Sequence, residues 1–204
     1  MNPDTSNEQG KDWRERIRDS RFGTVLVLGV TAALVMVAAY LIDRPSAPAP
    51  GVVPITLTGS RDGAPPKIGR PAQDFTATTV DGEQVSLSSY QGHPVWLTFG
   101  ASWCAVCQAE APDIEAAYEK AKAQGVVVLA IFISEDSSTV REYGDRVGLT
   151  FLKVADPDTR IASAYRVLGI PTHFFIDQSG VLRSMKIGSL SPERMATALT
   201  EINR

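Results

Sequence analysis

Cysteine is scarce in this chain, with 2 in 204 residues. That excludes a scaffold built on disulfides, which needs several bridges to stand in for a hydrophobic core. A basic excess is also missing. Lys and Arg number 20 against 23 Asp and Glu, a formal net charge of -3, so the charge balance gives no footing for nucleic acid. The chain shows no internal repeat. What remains is ordinary: 44% hydrophobic and 21% charged residues are globular values, and the length allows one domain plus extras.

Residues 22–42, "FGTVLVLGVTAALVMVAAYLI", lack charge altogether. As a helix this run is about 31 Å long, close to the hydrocarbon thickness of a bilayer. A buried core helix would be shorter and polar on one side. Lys11, Arg14, Arg16, Arg18 and Arg21 precede the run, while Arg44 and Arg61 follow it. By the positive-inside rule, residues 1–21 form a cytoplasmic arm, 22–42 cross the membrane, and the remainder lies outside the cytoplasm. The run is longer than a cleaved signal core, and the small-residue stretch "APAP" at 47–50 is crowded by prolines. The expectation is a retained signal anchor. Residues 43–68 are proline-rich and read as a semi-rigid spacer.

From residue 69 to 204 strand and helix signals alternate, which predicts an α/β domain. The turn signal "DG" at 81–82 places a hairpin-like lead-in over 75–88. "PVWLTFG" (94–100) and "VVVLAIFI" (126–133) read as strands covered on both faces. Between them a helix is predicted over 103–124, with Ile114, Ala117, Tyr118 and Ala121 as its buried stripe. Further helices are predicted at 137–147 and near 157–167, the latter capped by Asp156 with Pro157 in its first turn. "HFFID" and "VLRSMKIG" pair as antiparallel strands, and "SPER" at 191–194 opens a last helix.

Both cysteines fall in "GASWCAVCQAE", residues 100–110. A bridge between Cys104 and Cys107 closes almost no loop, so it cannot be there to staple the fold. The pattern puts Cys104 at the first turn of a helix, where free N–H groups and the helix dipole favour a thiolate. Cys107, one turn on, is close enough to attack a disulfide that Cys104 forms. Pro112 lies inside the predicted helix and should kink it.

"IGRPAQDFTATTVDGEQVSLSSYQGHPVWLTFGASWCAVCQAEAP" together with "GIPTHFFIDQSGVLR" resembles the thioredoxin-like family of the TlpA/ResA type, membrane-anchored thiol–disulfide oxidoreductases. The resemblance covers roughly 68–203 and implies a mixed central sheet flanked by helices, behind one transmembrane helix. It implies that Cys104 attacks and Cys107 resolves, as a redox-active disulfide. Pro171 would be a cis-proline facing the pair, with Ile170 and Trp103 helping to hold substrate, and Glu110 an acidic residue at the active site. Its implied partners are client protein disulfides, such as those of apocytochrome c or copper-site proteins, and a transmembrane electron donor. It implies no cofactor and no metal.

Two positions depart from the family. Val106 replaces the usual proline before the second cysteine, and Thr98 stands where thioredoxin buries an aspartate. Two rival readings use the same residues. A copper chaperone would bind through Cys104, Cys107 and His173, since thiolates and imidazole suit copper, but copper-delivery relatives space their cysteines more widely. A thiol peroxidase would need a threonine where Ala101 stands. His93, in a loop, reads as a surface residue.

Overall fold

The computed structural model describes residues 21–42 and 65–204, which fall in two separate units. The expected arm over 1–20 and the spacer over 43–64 lie outside the described residues. The first unit contains helix α1, Arg21–Ile42. Its 22 residues span about 33 Å, and the described side chains from Thr24 to Leu41 are exposed on every side. Thr31 donates its hydroxyl to the Val27 carbonyl at 2.7 Å, which removes a polar group from the helix surface. By length and composition this helix can cross a bilayer.

The second unit opens with a hairpin, β1 (Thr76–Thr78) against β2 (Gln84–Ser86), as the "DG" turn predicts. Five strands form the main sheet: β3 (Val95–Gly100), β4 (Val127–Ile133), β5 (Leu152–Asp156), β6 (Thr172–Ile176) and β7 (Leu182–Ile187). Their order is β5-β4-β3-β6-β7. The first three run parallel, while β6 and β7 are antiparallel additions.

Side chains alternate across β3, and this splits the core in two. Trp96 joins one cluster with Ile114 and Ala121 of α2 (Ala105–Ala121), Val140 and Tyr143 of α3 (Ser137–Val147), and Met195 and Leu199 of α5 (Pro192–Ile202). Ala117 and Tyr118 pack against that cluster, completing the predicted α2 stripe. Leu97 and Phe99 belong to the second cluster, with Phe75 and Val85 of the hairpin region and Ile161 of α4 (Arg160–Ala164). Pro112 lies within α2. It has no N–H to give the carbonyl one turn back.

One strand lies where the sequence pattern gives no strand signal, and one helix is shorter than predicted. Strand β5 went unread because Lys153 interrupts "LKVAD", yet Lys153 is buried. Its ammonium donates to the Leu149 and Phe151 carbonyls at 3.0 and 3.2 Å. Helix α4 is also much shorter than 157–167, and Pro157 precedes it in a turn. Asp156 ends β5 and still caps the helix, accepting the Ile161 and Ala162 N–H groups at 3.2 and 2.9 Å.

The segment before the hairpin closes one sheet edge. Gly69 N–H donates to Leu182 O at 2.8 Å, and Leu182 N–H donates to Arg70 O at 3.0 Å. After the hairpin begins, Val80 N–H donates to Lys153 O on β5 at 2.8 Å, covering part of the other edge.

Candidate active site

Strand β3 ends at Gly100, and a short turn carries the chain into α2. Cys104 is the N-cap of that helix: its backbone is still extended, and its Sγ accepts the Cys107 N–H at 3.2 Å. A sulfur in this place takes up one of the helix's free N–H groups, a bond that strengthens when the sulfur is anionic. Cys104 and Cys107 form a disulfide with a Cα–Cα separation of 5.2 Å. Both residues are half-buried. Trp103 and Val106 flank them and are exposed. Across from the pair, the Ile170–Pro171 peptide bond is cis, Pro171 is buried and Ile170 half-buried.

Glu110 is 4% exposed, not on the solvent face. Its Oε1 accepts the Leu190 N–H at 2.6 Å. The same oxygen lies 3.4 Å from Nε2 of His173, a residue with no exposed surface. Glu110 and Cys107 both line a small cavity of about 40 Å³, with Thr98, Gly100, Tyr143 and Pro171 also in its wall. The structure therefore brings together Cys104, Cys107, Glu110 and Pro171. His173 is behind Glu110, in the core. Among the described residues no group of His, Cys, Asp and Glu could hold a metal ion, and His93 is exposed.

Three contributors escaped the sequence reading. Glu135, buried just past β4, accepts both the backbone N–H (2.8 Å) and the hydroxyl of Ser102. Gln108 donates its side-chain amide to the Ser102 carbonyl. These bonds pin the turn before Cys104 from two directions. No local pattern announces them, because the partners come from separate elements.

A disulfide between cysteines three apart, at the start of a helix on a mixed sheet with helices on both faces, defines a thioredoxin-like thiol–disulfide oxidoreductase. The comparisons agree. The AhpC/TSA family profile matches residues 68–185. Thiol-disulfide oxidoreductase ResA of Geobacillus kaustophilus is 35% identical over 135 residues, covering 66% of this chain and 78% of that protein. A Chlorobium tepidum structure described as a thiol:disulfide interchange protein DsbE superposes with a TM-score of 0.64 at 27% identity, over 68% of this chain and 99% of that one. A second structure from the same organism, a thiol:disulfide interchange protein of the thioredoxin family, gives 0.61 at 25% identity, over 72% and 100%. The chain belongs to the AhpC/TSA family.

Proposed function

We propose that this chain is a membrane-anchored, extracytoplasmic reductase of client protein disulfides. Residues 22–42 are the anchor, 43–68 the spacer, and 69–204 the working domain, with 1–21 in the cytoplasm. The placement of Cys104 at the α2 N-cap, half-buried between two exposed apolar side chains, carries the reading. In the dithiol form, Cys104 attacks a client disulfide as thiolate and one client sulfur leaves. Cys107 then loses its proton, attacks Cys104 Sγ, and the second client sulfur leaves with the electron pair. Glu110, buried beside Cys107, is the group to take the Cys107 proton, as general base catalysis requires.

Trp103, Ile170 and Pro171 form the surface a client chain meets. Apocytochrome c and copper-site proteins are the client classes, because both must hold free thiols in an oxidising compartment before loading. Electrons return to the pair from a transmembrane dithiol donor. The biased Lys and Arg distribution and the apolar α1 support the orientation.

The test is to trap the client. Cys107→Ser in the full-length protein, in cells making c-type cytochrome, should accumulate a mixed disulfide between Cys104 and apocytochrome cysteines. Cys104→Ser should accumulate none. Equal trapping by the two variants would sink the assignment of roles, and clients that accumulate as free thiols, not as disulfides, in cells lacking the protein would reverse the direction.

A further inference from the structure

Behind the cysteines, two buried polar atoms have no hydrogen-bond partner among the described residues: Oε2 of Glu110 and Nε2 of His173. Such orphans are rare in a folded core and ask for an explanation. The His173 ring has a defined tautomer. Trp96 Nε1 is 3.3 Å from Nδ1, and an indole N–H can only donate, so Nδ1 accepts and the proton is on Nε2. A second ring proton would sit on Nδ1 and point against the Trp96 N–H. Thr98 Oγ1, 3.0 Å from Nδ1, closes the other approach. Nε2 of His173 lies 3.4 Å from Glu110 Oε1, with no hydrogen bond formed between them. That gap is longer than a well-made N–H···O bond, and such contacts often tighten only during the reaction.

We propose that His173 is a positioning residue of the redox step, which steadies the Glu110 carboxylate through Nε2–H on Oε1 and leaves Oε2 free to exchange a proton with Cys107. The inference rests on the oxidoreductase reading above and deepens it. In the resolving step the Cys107 S–H bond breaks and its proton passes to Glu110 Oε2. The Cys107 thiolate bonds to Cys104 Sγ, the bond from Cys104 to the client sulfur breaks, and the client thiolate leaves. Glu110 then gives its proton to that thiolate or to solvent. Two electrons move from the enzyme dithiol to the client disulfide. His173 gains and loses nothing; it holds the carboxylate in place.

Other groups face this pair. Cys107 is on the same helix as Glu110. Tyr143 reaches the cavity from α3, and burial, opposed by Arg146, holds its phenol above the ordinary range. Lys186 on β7 is opposite His173 in register, and Lys153 on β5 lies in the same row of paired residues, beyond Thr98 and Ala130. Strand β3 contributes Trp96 and Thr98, which do not titrate near neutrality. The substitutions below alter none of these neighbours.

The experiment is rapid mixing of the reduced full-length protein, in detergent, with a fluorescent peptide disulfide. Attack and resolution are followed separately from pH 5 to 9. His173→Asn removes the N–H from the Nε2 position, while His173→Gln restores one there. We expect His173→Asn to move the acid limb of resolution up by about one pH unit, about tenfold at a fixed pH on that limb, with attack by Cys104 unchanged. His173→Gln should follow the wild type. In a Glu110→Gln background His173→Asn should add nothing. An unmoved profile in His173→Asn, equal shifts in the Asn and Gln variants, or an effect that persists without the Glu110 carboxylate each overturns the proposal. If Glu110→Gln alone leaves resolution untouched, it is the general-base reading that fails.

Discussion

At Ser102 the chain offers two hydrogen-bond donors, and the buried Glu135 takes both. The turn before Cys104 is therefore held by a carboxylate from the far end of β4. Glu135→Ala should strand both donors, costing about 2–3 kcal/mol of stability and slowing attack by Cys104. Glu135→Gln, which keeps one acceptor, should lose about half as much. Denaturant unfolding of the two variants checks the ranking, and equal losses would show the contact to be incidental. Cys104 and Cys107 were legible in the sequence because their chemistry is local: spacing and a helix start define it. Glu110 was a candidate only through the family resemblance, which carries an acidic residue at that place. Glu135 and the orientation of His173 were not, since each acquires its meaning only when separate elements meet.

Among elements, the long apolar runs and the turn signals carried most of the reading. β3, β4, the hairpin, α3 and α5 fall where periodicity and capping put them. β5 did not, because a lysine in a five-residue strand reads as exposed when nothing local shows the carbonyls that receive it. The space for that lysine is made by Gly144 on α3, where an added Cβ would meet Lys153 Cδ at 2.7 Å. Gly144→Ala gains about 1 kcal/mol in helix propensity, but overpacking around a tethered side chain costs about 1–3 kcal/mol. The expected net is destabilisation, and Lys153→Met, with a shorter and unbonded tail, should reduce it. A higher melting temperature for Gly144→Ala alone would contradict this.

The β6–β7 turn depends on Asp177. Burial pushes its carboxyl up, but the Ser179 hydroxyl, the Val181 N–H and the Arg183 guanidinium outweigh that and hold it below the ordinary range. A depressed folded value means the stabilisation is complete above the unfolded value, about 3.9, and is lost as pH falls through the folded one. Asp177→Asn should lower the melting temperature at pH 7 and flatten its decline below about pH 4. An unchanged acid limb would show that other carboxylates govern it.

For the whole molecule, topology is the measurement that matters most. Protease added outside spheroplasts should release a fragment starting within 44–67 and leave 1–42 in the membrane. Protection of the domain until lysis would reverse the orientation. The reduction potential belongs to this scale too: a client reductase should lie near thioredoxin's value, about -270 mV, and one near -120 mV would make it an oxidant. The bonds from Gly69 and Arg70 to Leu182, and from Val80 to Lys153, have a further bearing under the proposed membrane anchoring. Confinement to a plane raises the rate at which copies collide, and bare sheet rims invite strand exchange between neighbours. Here the stretch that leaves the spacer and enters the hairpin occupies places on both rims before a neighbour can. Under the proposed anchoring, the tether that would crowd the molecules leads directly into the segment that keeps them from adhering.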